Sequence, residues 1–148
     1  MDARKAMTRN VLVAPAGLPL QTAYDLMTRS RIRHLPVTAG GALVGMLSDR
    51  DLLLAAGVDA LGQLQFPDRS VAELMTPSPL TCEASTSVSD LAQRMIDEKI
   101  DALPVMSGTR LVGLVTSTDL LQLLVDREEH RVLPFRFELR DIESGAVA

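Results

Sequence analysis

Two kinds of apolar spacing alternate along this chain, and the alternation occurs twice in the same order. Leu20, Ala23, Tyr24 and Met27 recur at three- and four-residue intervals, the spacing of one helical face. Pro19 stands ahead of them as a good first helical residue, so a helix is expected over residues 19–30. A short extended piece at Leu12-Val13 precedes it. Leu35-Pro36-Val37 follows, where proline fits a strand start or a sheet edge. After a turn at Gly40, the apolar, partly β-branched stretch 42–47 reads as a buried strand. A second helix is expected from Ser48 through Leu52-Leu53-Leu54.

The whole order then returns at a constant offset of 68 residues, without a gap. Met7-Thr8 recurs as Met75-Thr76, Leu12 as Leu80, and Ile32 as Ile100. Leu35-Pro36-Val37 recurs as Leu103-Pro104-Val105, and Leu43-Val44-Gly45 as Leu111-Val112-Gly113. Asp51-Leu52-Leu53 recurs as Asp119-Leu120-Leu121. In the second copy, Val88, Leu91, Ala92 and Met95 form the helical stripe behind a capping pattern at Ser87-Val88-Ser89-Asp90. Each copy therefore reads β-α-β-β-α, which places the chain in the α/β (α+β) class. The expectation is two repeats, 7–56 and 71–125, with a linker at 57–70 and a tail at 126–148. Pseudo-two-fold packing around one shared core is expected.

Composition narrows the function classes. The apolar fraction of 47% with no Trp calls for an aliphatic core, in which the seven Met act as filler. A net charge of −4 weighs against a nucleic-acid binder. No apolar run reaches the roughly 18 residues of a membrane span, and no apolar segment of a secretory signal follows the first residues. The lone Cys82 excludes an internal disulfide and fits a reducing cytoplasm. His34, His130 and Cys82 lack metal-ligand spacing. No phosphate-binding glycine loop or nucleophile-base arrangement is present, which argues against an enzyme. The segment Val132-Leu133-Pro134-Phe135-Arg136-Phe137-Glu138-Leu139 alternates partly like a strand and could dock on the core or on a partner.

Candidate chemistry gathers at two places. One is the second strand-to-helix junction of each copy: Ser48-Asp49-Arg50-Asp51 and Thr116-Ser117-Thr118-Asp119. A helix N-terminus and a hydroxyl suit a phosphate, and an Asp one turn on can accept both hydroxyls of a ribose. The same Ser/Thr-x-x-Asp spacing is also a plain helix cap. The other place is Arg29, Arg31, Arg33 and His34, with Arg50 positioned to join them. These cations either attract a phosphate chain or complement a solvated helix end. Their counterparts Asp97, Lys99, Asp101 and Ala102 are much less basic.

Taken together, Met75-Thr76-Pro77, Arg33-His34-Leu35-Pro36-Val37, the stretch Leu43 to Leu52 and their counterparts resemble a tandem of cystathionine-β-synthase (CBS) domains, a Bateman module. The resemblance covers residues 7–125 and is similar to small stand-alone bacterial members. It implies a regulatory module with two clefts for adenosine derivatives such as AMP, ADP, ATP or S-adenosylmethionine, with no required cofactor. It also implies pairing into a disc-shaped homodimer through helices, for which 52–56 and 120–125 offer apolar faces, burial of those faces within the monomer being the alternative. On that pattern a first site would use Leu12, Arg33, His34, Pro36, Ser48, Arg50 and Asp51, with Val11 and Ile32 beside the adenine. A second would use Leu80, Ile100, Pro104, Thr116, Thr118 and Asp119. Because Asp101 and Ala102 stand where the basic pair should be, the first site is expected to hold phosphates. The second is expected to be empty or to take a less anionic ligand. A ligand-free dimerisation scaffold is the alternative.

Overall fold

The protein is described as a computed structural model covering residues 1–127 of the 148. Tail residues 128–148, including the alternating segment at 132–139, lie outside the described residues. Elements run α1 (Ala3–Ala6), β1 (Ala14–Pro15), α2 (Leu20–Ser30), β2 (His34–Ala39), β3 (Ala42–Ser48), α3 (Asp49–Ala55), β4 (Gly57–Val58) and β5 (Leu64–Gln65). They continue with α4 (Val71–Leu74), β6 (Thr76–Pro77), β7 (Cys82–Glu83), α5 (Val88–Glu98), β8 (Ala102–Ser107), β9 (Arg110–Thr116) and α6 (Ser117–Arg127). The class is mixed α/β, with the β-α-β-β-α order in both copies.

The expected helical stripes are the buried ones. Leu20, Ala23 and Met27 are buried on α2, and Leu91 and Met95 on α5. Pro19 is the residue capping α2 rather than its first turn, because its ψ of 147° is still extended. The short first strands form two residues later than expected, at Ala14–Pro15 and Cys82–Glu83, where they pair in parallel with β2 and β8. Leu12 and Leu80 stay unpaired and part-exposed, which leaves them available to a cleft. The linker at 57–70 is not featureless: β4 and β5 pair antiparallel across it. Asp59 holds the turn by accepting from the Leu61 and Gln63 backbone N–H groups at 2.8 and 2.9 Å.

Instead of one shared core there are two. The first gathers Leu20, Leu35, Val37, Leu47 and Leu52, and the second Leu91, Leu103, Val105 and Val115. Each core also takes an element that precedes the other repeat. Val71 of α4, which leads into the second copy, is fully buried in the first core. Ala3 of α1, which leads into the first copy, is fully buried in the second. Backbone bonds follow the same exchange. Val71 N–H donates to the Leu18 carbonyl at 2.9 Å, and Ala3 N–H to the Thr86 carbonyl at 2.8 Å. β6 adds to the edge of β3, giving a four-stranded sheet ordered β1-β2-β3-β6. Thr8 makes the matching antiparallel bridge to Leu114 on β9, beside the sheet β7-β8-β9. A four-residue helix and a two-residue strand bury little alone, so each lead gains its partners from a sheet edge already formed. The halves in space are thus interleaved, not consecutive along the chain.

Candidate functional site: two clefts between the repeats

Both strand-to-helix junctions form reciprocal caps. Ser48 N–H donates to Asp51 Oδ2 at 2.9 Å, and Asp51 N–H donates to Ser48 Oγ at 3.1 Å. Thr116 N–H donates to Asp119 Oδ2 at 2.8 Å, and Asp119 N–H donates to Thr116 Oγ1 at 3.2 Å. The capping role is therefore real at both places. It uses Oδ2 of each carboxylate, and no hydrogen bond to Oδ1 of either is recorded among the described residues. The two oxygens of a carboxylate can accept about four hydrogen bonds, so a capping Asp can still hold a hydroxyl.

Two clefts open at these junctions. The larger, of about 650 Å³, joins Val11, Leu12, Ile32, Arg33 and His34 of the first copy to Thr116, Thr118 and Asp119 of the second. Arg31 lines it as well. This arginine ends α2 in the left-handed conformation, at φ 53°, and its N–H closes the last turn. The smaller cleft, of about 400 Å³, joins Ser48, Asp49 and Arg50 of the first copy to Leu80, Ile100 and Asp101 of the second.

The clefts group these residues differently from the expected two sets. Leu12 does not share a cleft with Ser48 and Arg50, and Leu80 does not share one with Thr116 and Thr118. The interleaved leads are the cause. Thr8 is bonded to β9 and Thr76-Pro77 to β3, so the residues that follow each lead cross the other copy's junction. Pro36 and Pro104 line neither cleft, being fully buried inside β2 and β8. Asp119 lines the larger cleft, but its counterpart Asp51 does not line the smaller one. The basic residues are shared between the clefts. Arg33, His34 and Asp101 line both clefts, while Arg31 belongs to the larger and Arg50 to the smaller. Asp101 and Ser117 fall at positions the sequence singles out, whereas Thr8 lines the larger cleft with no such signal.

His34 sits half-buried at this shared wall. Burial lowers its pKa below the ordinary 6.5, against the pull of Asp101 and Asp49, while Arg33 lowers it further. The ring is therefore mainly neutral near pH 7. Arg33 is mostly exposed and holds Asp49 only loosely, Nε to Oδ2 at 3.4 Å. Cys82 is buried, and desolvation pushes its thiol up to about 11, which makes it a packing residue. No metal-binding cluster and no helix able to cross a membrane occurs among the described residues.

Comparison with known proteins agrees with this architecture. A family model described as CBS domain matches twice, over residues 3–57 and 71–126. The CBS domain-containing protein YhcV of Bacillus subtilis (strain 168) is 32% identical over 120 residues, spanning 79% of this chain and 81% of that one. Against two other relatives, this chain spans 44% and 47% of their length. Among solved structures, the CBS domain pair of protein MJ0100 in complex with 5′-methylthioadenosine and S-adenosyl-L-methionine superposes with a TM-score of 0.75 at 25% identity. That match covers 86% of this chain and 98% of the other. CBSX2 in complex with AMP gives a TM-score of 0.72 at 27% identity, covering 84% and 96%.

Proposed function

This chain belongs to the CBS domain family, of which it carries two tandem copies, and from that premise we propose that it is a regulatory, non-enzymatic module that senses an adenosine derivative. The larger cleft carries the reading. Val11, Leu12 and Ile32 offer an apolar surface for a purine. The second carboxylate oxygen of Asp119 suits a ribose hydroxyl pair. The α6 N-terminus, with Thr116 and Ser117, and the guanidinium groups of Arg31 and Arg33 suit a phosphate. The smaller cleft repeats the plan with Leu80, Ile100, Ser48 and Arg50 and serves as a second site. The ligands named for the two similar structures all contain adenosine and differ beyond its 5′ carbon. AMP, ADP, ATP and S-adenosylmethionine are accordingly the candidates. A buried, unpaired Cys82 suits the cytoplasm.

Thermal melts followed with a dye test the reading, since the chain has no Trp. A ligand at about 100 times its Kd adds about 2.7 kcal/mol, a rise of about 5–10 °C in Tm for a chain of this size. A rise with adenine ligands and none with GTP supports it. No rise with any of them at millimolar concentration overturns it.

A separate observation favours a homodimer. An apolar groove of about 600 Å³ runs between α5 and α6, lined by Ile96, Leu120, Leu121 and Leu124. Ile96, Leu121, Leu124 and Val125 are each at least 60% exposed, and grouped exposed apolar side chains mark interaction surfaces. On the first copy the expected face divides: Leu52 is fully buried, and Leu53 and Leu54 are exposed. Docking of these helices against a second copy covers them.

A further inference from the structure

We propose that the two clefts are coupled through their common wall, so that an anionic ligand in one weakens the binding of an anionic ligand in the other. The inference rests on the adenosine reading and adds a regulation to it. Arg33, His34 and Asp101 line both clefts. They share one place in the pseudo-symmetry: Arg33-His34 occupies in the first repeat the position of Asp101-Ala102 in the second. Two clefts therefore have one basic wall between them, with a carboxylate beside it.

The backbone on both sides holds that wall in place. The Arg33 carbonyl accepts from Asp49 N–H at 2.9 Å, and the Asp101 carbonyl accepts from Ser117 N–H at 2.9 Å. Each helix start is thus tied to the residue at the pseudo-axis. The side chain of Arg33 is 76% exposed, and its ion pair with Asp49 is long, so it can swing to whichever cleft holds a phosphate. It can serve only one at a time. An anion bound second meets Asp101 with Arg33 already engaged. Arg31 and Arg50, private to one cleft each, give each site its own cation and keep the second binding step measurable. A neutral ligand does not use the wall and should bind the two clefts independently.

Blocking one cleft at a time separates coupling from a mere inequality of sites. Leu12 and Leu80 are matching, part-exposed residues, one in each cleft, so Leu12→Trp closes the larger and Leu80→Trp the smaller. AMP and adenosine are titrated by calorimetry into the full-length protein and both variants. The expected result is that each cleft binds AMP about 5-fold or more tightly when the other is blocked than when the other is filled. Adenosine should show no such difference, which also reports that the variants are folded. Arg33→Gln should bring the AMP ratio to that of adenosine. If wild type takes one AMP only, blocking the occupied cleft should open the other. AMP affinities unchanged by blocking overturn the coupling and leave the adenosine reading standing. A lone site that is lost on blocking does the same. Absence of any binding overturns both.

Discussion

Met75 lies directly across Gly45: a β-carbon at Gly45 would sit 2.7 Å from Met75 Cγ and closer still to its sulfur. Met7 lies across Gly113 in the same way, at 2.8 Å from Cγ. These two contacts, each between one repeat's lead and the other repeat's third strand, β3 or β9, fasten the exchange that builds the clefts. A side chain at either glycine would force the crossing methionine to move.

Gly45→Ala should therefore destabilise the protein by about 1–3 kcal/mol, the usual cost of overpacking. Denaturant unfolding measures it. Pairing Gly45→Ala with Met75→Ala should recover part of the loss, because the methyl group then has room. A double variant no more stable than the sum of the single changes would show that the contact is not the cause.

Asp119 both caps α6 and faces the larger cleft. Asp119→Ala should cost about 1 kcal/mol in stability and also remove the Tm rise given by an adenine ligand at that cleft. Ser87→Ala is the control. Its hydroxyl caps α5 by accepting from Asp90 N–H at 3.0 Å, away from both clefts. It should cost a similar amount and leave the ligand response intact.

Acidification should act through His34. Burial, the largest cause, holds its pKa below 6.5; Asp101, Asp49 and Asp51 oppose this, and Arg33 adds to it. Below about pH 6.5 the unfolded chain binds a proton that the folded protein takes up only at lower pH. Stability therefore falls as pH drops from about 6.5, and the loss levels off below the folded pKa. Melts of wild type and His34→Gln between pH 5 and 8 check the sign. The variant should lose less stability over that interval.

Leu121 and Leu124 are 61% and 60% exposed on α6 and line the apolar groove. Leu121→Glu with Leu124→Glu should convert a dimer to a monomer in sedimentation, because burying two carboxylates in an apolar contact is unfavourable. Monomer stability should change little, both side chains being largely in water within one chain. A wild type that sediments as a monomer at all concentrations would remove the dimer reading.

Cys82 should resist thiol reagents in the folded state. With its pKa near 11, only about one thiol in a thousand is ionised at pH 8. Reaction with a chromogenic disulfide should be fast only after unfolding.

The sequence by itself determined the repeat, the order of elements, the buried stripes and the two capped helix starts. Those are local matters: spacing of apolar positions reports which face is buried, and Ser/Thr-x-x-Asp reports a helix start. Pro36 and Pro104, which the resemblance sets beside an adenine, have their rings fully buried, because a strand pattern alone does not say which side of a two-faced strand meets a cleft. Only the tertiary structure decided which copy supplies which wall. The edges of β3 and β9 carry the same Leu-Val-Gly pattern, and the leads at Met7-Thr8 and Met75-Thr76 are alike. Either lead would satisfy either edge as far as pattern goes. The crossing follows from where the chain can reach and bury Ala3 and Val71, a property of the packed whole. From it come the mixed clefts and the common wall of Arg33, His34 and Asp101.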